Sequence, residues 1–216
     1  GEQGGLRYLV SELVDGGVLA DQLGRPLPPD QVLLMLWSVA SALDYAHTRE
    51  IVHGNVKPSK VLLTGDGAPV LVGFGLAPML GSRSRPTRRR AEIGTLEYVA
   101  PEQAAGEAVG PPADRYALAV IAYEMLTGEL PYRMDARPAA EGTLVDRPFL
   151  PARERNPRLS PALEAALLKG LAHRPEDRYG TGADLVRALA FSAGPAAGEL
   201  WLAFRAGLGA MRRGGG

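Results

Sequence analysis

From Asp114 to Leu126 the chain reads DRYALAVIAYEML, an apolar run at helical length, closed by Gly128 and Pro131. A helix with so narrow a polar face has to be surrounded by other elements. A strongly apolar helix is therefore expected over Asp114–Leu126. A second helix is expected from Asp30, read as its cap, to His47. There Val32, Leu33, Leu36, Val39, Ala40, Leu43 and Ala46 recur at helical spacing. Two more are expected over Pro161–Leu171 and Asp184–Phe191, and a short one over Val18–Leu23. Leu6–Val14 (LRYLVSELV) is rich in branched and aromatic residues and predicts a strand. Val61–Leu63 and Val70–Val72 flank Gly65-Asp66-Gly67, the pattern of a small hairpin. Residues 78–93 and most of 133–158 read as loop. The fold class expected is mainly α (α+β): a strand, helices, a small hairpin, a long loop, then helices.

Composition narrows the function classes. Lysine plus arginine and aspartate plus glutamate both number 24, so no global charge favours nucleic acid or an anionic membrane. Cysteine is absent, which excludes disulfides, thiolate catalysis and cysteine-bound zinc, and fits a cytoplasmic protein. The three histidines, His47, His53 and His173, do not have metal-ligand spacing. No stretch is apolar for long enough to read as a membrane span.

Five segments then carry a resemblance. They are IVHGNVKPSKVLL at 51–63, GFGLA at 73–77, GTLEYVAPE at 94–102, DRYALAVIAYEMLTG at 114–128 and PEDRY at 175–179. In this order they resemble the catalytic loop, the metal-binding loop, the end of the activation segment, the central helix and a late motif of Hanks-type serine/threonine protein kinases. The resemblance covers about residues 6–190. It implies a kinase-like large lobe over 15–191, with 1–14 the hinge-strand remnant of its junction with a smaller N-terminal lobe. That lobe's glycine-rich loop and phosphate-binding lysine do not precede Leu6, so the lobe is expected to be missing. Residues 192–216 are expected to be a tail with an amphipathic helix.

The same resemblance marks what has been replaced. The family's general-base aspartate is Asn55 here, and a neutral amide is no base. The family asparagine that helps hold magnesium is Lys60, whose ammonium only donates. The aspartate that grips the metal is Gly73, which has no side chain. Magnesium takes oxygen ligands, commonly carboxylates and phosphate, so no metal is expected. Lys57 matches the lysine that touches the transferred phosphate. His53 and Phe74 match a buried stack, Asp114 the acid that holds the catalytic loop, and Glu102 with Arg178 a buried ion pair. Fold-holding residues are kept where chemistry-holding residues are not.

The reading that follows is a catalytically impaired kinase-like domain, a regulatory or protein-interaction module with a protein partner. The alternative is a serine/threonine kinase fragment that binds ATP and phosphorylates protein when its N-terminal lobe is present. Glu12, Val14, Leu19 and Leu62 match residues around the adenine, but without a roof they read more simply as core, and ATP is expected at low affinity only. Lys57 and Lys60 read as a metal-free anion site or, more plainly, as two solvated lysines. The arginines at 83, 85, 88, 89 and 90 read as a solvated loop or a dock for an acidic partner. In the tail, Leu200, Trp201, Phe204, Leu208 and Met211 share a face, and residues 199–213 are a candidate membrane contact.

Overall fold

The computed structural model describes residues 1–74 except Leu9, residues 96–132, and residues 149–203 except Ala196 and Leu200. The expectations for residues 78–93 and 133–148 lie outside the described residues. So do Gly94, Thr95 and most of the 73–77 motif.

The strongly apolar helix expected over Asp114–Leu126 is present, and the fold buries it. It runs from Pro111 to Thr127 and buries every residue except Pro111, Pro112, Arg115 and Glu124. We call it α3. Pro111 suits its first turn, and it ends on Gly128, whose left-handed backbone lets the Gly128 amide bond the Glu124 carbonyl. The first long helix, α1 (Pro29–His47), packs along it. Asp30 is not the cap. The flanking position is Pro28, whose carbonyl takes the Val32 amide at 3.0 Å, and Asp30 lies one step inside the first turn. There its carboxylate still faces the positive end of the helix.

Two hairpins accompany the helices. The outer pair is β1 (Glu2–Gln3) with β2 (Leu6–Arg7), and the inner pair is β3 (Val61–Leu63) with β4 (Pro69–Leu71). The strand expected over Leu6–Val14 is thus cut to its first two residues. Branched residues favour a strand only where a neighbour completes the ladder. Beyond Tyr8, whose amide bonds the Gly1 carbonyl, no described segment does so. Leu6, Val10 and Leu13 stay 76%, 81% and 87% exposed. The chain regains a partner at residues 16–18. Gly16 donates to the Leu63 carbonyl, Leu63 donates to Gly17, and Val18 bridges Leu62. A 3-10 turn, Leu19–Gln22, follows.

The remaining helices are α2 (Pro101–Ala105), α4 (Ala152–Arg155), α5 (Pro161–Gly170) and α6 (Gly182–Ala193). The helical turn α4 falls in a stretch read as mostly loop. Helix α6 lies against α1 and α5. Its start is capped twice: Thr181 Oγ1 accepts the Asp184 amide, and Asp44 from α1 accepts the amides of Gly182 and Ala183 at 2.8 and 2.9 Å. Ser160 does the same for α5, accepting the Leu163 amide, and its hydroxyl donates to the Ser192 carbonyl at the end of α6. Helical residues continue at 197–199 and 201–203. Trp201 is buried, edge-on to Trp37 of α1 at 6.0 Å and tilted against Phe191 at 5.6 Å. It packs on the core here, while Leu200, Phe204, Leu208 and Met211 lie outside the described residues.

Candidate functional site

The loop between α1 and β3 is held from beneath by one carboxylate. Asp114, in the first turn of α3, is 1% exposed. Its Oδ1 accepts the Gly54 amide at 2.7 Å, and its Oδ2 accepts the His53 amide at 2.9 Å. Oδ2 also accepts His47 Nε2 at 2.8 Å. Three donors on one buried acid leave it no need of a cation partner. His47 was not singled out from sequence, because its place at the end of α1 brings it to Asp114 only in the fold.

His53 is itself buried, and its tautomer follows from its neighbours. The Asn55 amide donates to Nδ1 at 3.2 Å, so Nδ1 is bare and the proton sits on Nε2, which donates to the Val72 carbonyl at 3.0 Å. Burial lowers its pKa, while the Val72 carbonyl and Asp114 act against that shift. Phe74 stands edge-on to the ring at 4.8 Å. The imidazole is therefore a neutral brace between the loop and the end of β4.

Further down the same loop lie Asn55, Lys57 and Lys60. Asn55 is exposed, and Lys57 and Lys60 are half-buried. The hairpin register explains what Lys60 meets. Val61 pairs with Leu71, and the Lys60 carbonyl accepts the Val72 amide at 2.9 Å, which leaves Gly73 next to Lys60. Gly73 has a φ of +96, a region that side-chain-bearing residues rarely adopt. A β-carbon there would stand 3.5 Å from Lys60 Cδ and 3.8 Å from its Nζ. The Lys60 side chain thus lies along the space into which a residue-73 side chain would project. Among the described residues neither lysine ammonium has an ion pair or hydrogen bond. No group of three or more His, Asp or Glu among them is placed to hold a metal ion. An ammonium beside a bare backbone is no set of oxygen donors, so these residues do not fit a divalent cation.

The adenine-type positions are spread over different environments. Glu12 is exposed, Val14 and Leu62 are half-buried, and Leu19 is 1% exposed within the core.

Opposite the loop, α2 is fixed at both ends of its first turn. Glu102 and Arg178 are buried and meet in a two-pronged pair, Nη1 to Oε1 at 2.7 Å and Nη2 to Oε2 at 2.8 Å. The same guanidinium donates to the carbonyls of Ala172, Pro112 and His173 and lies over the Tyr116 ring. Gln103 accepts the Ala100 amide and donates to the Gly54 carbonyl at 3.0 Å, joining α2 to the loop. Tyr98 donates to Glu124 Oε2 at 2.6 Å; burial and that carboxylate push its phenol upward. A small cleft remains between loop and α2, lined by Asn55, Val56, Tyr98, Val99 and Gln103.

A loop hung on an α3 aspartate, with a second segment clamped by a glutamate–arginine pair, is a family arrangement. Residues 2–188 match the protein kinase domain family. The chain belongs to that family. Within it, this kinase domain is 39% identical to the serine/threonine-protein kinase Pkn1 of Myxococcus xanthus, over 84% of the chain and 27% of that protein. It is 35% identical to PknB of Mycobacterium leprae, over 84% of the chain and 30% of the relative. For PknH of Mycobacterium bovis the identity is 37%, over 87% and 32%. The kinase domain described here spans about a third or less of the length of these relatives.

Proposed function

We propose that this chain is a catalytically impaired kinase domain that works as a regulatory or protein-interaction module. The observation that supports the reading is the Lys60 side chain lying along the space that a side chain at Gly73 would fill. In an active site of this family an acid at the second position and an amide at the first would hold magnesium over the phosphates. Here a positive charge faces a residue without a side chain, and Asn55 offers no carboxylate to take up a hydroxyl proton. Phosphoryl transfer depends on positioning and charge neutralisation, and the loss of one electrostatic contact of this kind costs about 3 kcal/mol of barrier. We place the large lobe at residues 15–191, the hinge piece at 1–14 and a tail at 192–216. A protein partner is the expected ligand, and residues 199–213 are a candidate membrane contact.

A second reading is a serine/threonine kinase active in the context of its whole protein. Lys57, the Ala100-Pro101-Glu102 segment and the names of the relatives favour it. One experiment separates the two. The complete natural protein is incubated with ATP, magnesium and a general protein substrate, and phosphosites are read by mass spectrometry. No phosphate above that of a heat-killed control is expected. Incorporation that disappears in Lys57→Met would establish the second reading and end the first.

A further inference from the structure

Beyond α6 the chain returns to the core through one aromatic side chain. Helix α6 stops at Gly194, whose φ of +126 turns the backbone, and the Gly198 amide then bonds the Gly194 carbonyl at 3.1 Å. The helical stretch begun there rides on Phe191. A β-carbon at Gly198 would stand 3.2 Å from Phe191 Cδ1 and 3.4 Å from its Cε1. Trp201 follows and fills a slot between Phe191 of α6 and Trp37 of α1, where it is 8% exposed. The slot lies at the rim of the core, since Phe191 and Leu202 stay 56% and 50% exposed. Its wall also holds an unmet group. The Trp37 indole N–H is buried with no hydrogen-bond acceptor among the described residues, which weighs against the closed arrangement.

The sequence from this point on carries charge of one sign. After Glu199 come Arg205, Arg212 and Arg213 and no acid, whereas the formal net charge of the whole chain is zero. The residues up to Glu199 are therefore acidic on balance. A basic, apolar end on an acidic body is drawn to an anionic bilayer by that end alone, and a tryptophan is at home at headgroup level. We propose that Trp201 is exchanged between its slot and an anionic lipid surface, so that docking on α1 and membrane contact exclude each other. The side chain fills one place or the other. The stability of the slot then sets the fraction of chains competent to bind, and with it the apparent membrane affinity. The inference rests on the reading of residues 199–213 as a membrane contact and adds its regulation.

Trp37 and Trp201 are the chain's only tryptophans, which makes the exchange readable. The full chain is mixed with vesicles of phosphatidylcholine alone, or of phosphatidylcholine with about one third phosphatidylserine, and binding is read by co-sedimentation. Binding is expected to the anionic vesicles only, and to weaken as salt rises. Arg205→Ser, Arg212→Ser and Arg213→Ser should each weaken it about five-fold. In Trp37→Phe the sole tryptophan is Trp201, and bromine-labelled acyl chains should quench its fluorescence on binding. Trp37→Ala opens the slot without touching the tail and should tighten binding severalfold, whereas Trp201→Ala should weaken it. Gly198→Val, whose side chain would strike Phe191, is a second opening variant and should also tighten binding. Melting curves confirm that both opening variants are folded. Wild-type binding with Trp201 unquenched, or with affinity unchanged in both opening variants, overturns the exchange and leaves the membrane contact standing. Equal binding to the two kinds of vesicle overturns the anionic partner. No binding by wild type or by either opening variant overturns the exchange and the membrane contact together.

Discussion

The pair formed by Glu102 and Arg178 allows a perturbation whose size can be worked out. Both side chains are almost fully buried, at 5% exposure for Glu102 and 0% for Arg178, and the guanidinium places both terminal nitrogens on the carboxylate. Glu102→Ala removes the anion and leaves a buried cation that still reaches three carbonyls but has lost its charge partner. Breaking a buried pair from one side costs about 3–5 kcal/mol. For a domain of this size each kcal/mol lowers the melting temperature by roughly 2–4 °C, so the expected fall is roughly 6–20 °C. In urea, a slope of about 2–3 kcal/mol/M turns the same loss into a midpoint shift of about 1–2.5 M. Arg178→Met should do at least as much harm, since it also strands the carbonyls of Ala172, Pro112 and His173. The double variant should lose less than the two single losses combined, because each single change leaves a lone charge that the other removes. Melting and urea curves of the four proteins test this. A Glu102→Ala loss below about 1 kcal/mol, the range of exposed pairs, would refute the argument that burial makes this pair costly to break.

Three further outcomes are expected. Asp114→Asn replaces an acceptor for three donors with a group that must point an NH2 at one of them; a loss of about 3 kcal/mol is expected, with faster amide exchange at His53 and Gly54. His53 has a folded pKa below its unfolded value, so the unfolded chain binds more protons between the two. Stability from this group is present above the unfolded value of about 6.5 and falls as pH drops from there toward the folded value. Calorimetry of wild type and His53→Phe across this window should show a shallower pH slope in the variant, and identical slopes would contradict it. Gly16→Ala would push a β-carbon to within 2.5 Å of the Leu63 carbonyl oxygen and closer still to that of Thr64. It should cost about 1–3 kcal/mol in urea unfolding and expose the Leu63 amide to exchange.

Local signals in the sequence located the elements that depend on local forces. The apolar run ending at Gly128 is α3, helical spacing from residue 32 onward marks α1, and the Gly-Asp-Gly turn marks the inner hairpin. Leu6–Val14 failed as a strand because a ladder needs a partner, and composition does not say whether one is present. Asp44 is the sharper case. It sits on the polar side of α1 and gives no sequence signal, yet it caps a helix 138 residues away. Gln103 and His47 act in the same way, reaching Gly54 and Asp114 across the fold. At the site, Asn55, Lys60 and Gly73 were singled out by the motifs that hold them. That Lys60 runs alongside Gly73 was not, because it follows from the pairing of Val61 with Leu71.

Asp114 grips the peptide amides of His53 and Gly54 and makes no use of the Asn55 side chain. The path at residue 55 is consequently independent of the side chain there, whereas residue 54, with a φ of +69, favours glycine. A change of side chain at Asn55 alters the chemistry this loop can offer while leaving its backbone on the same carboxylate.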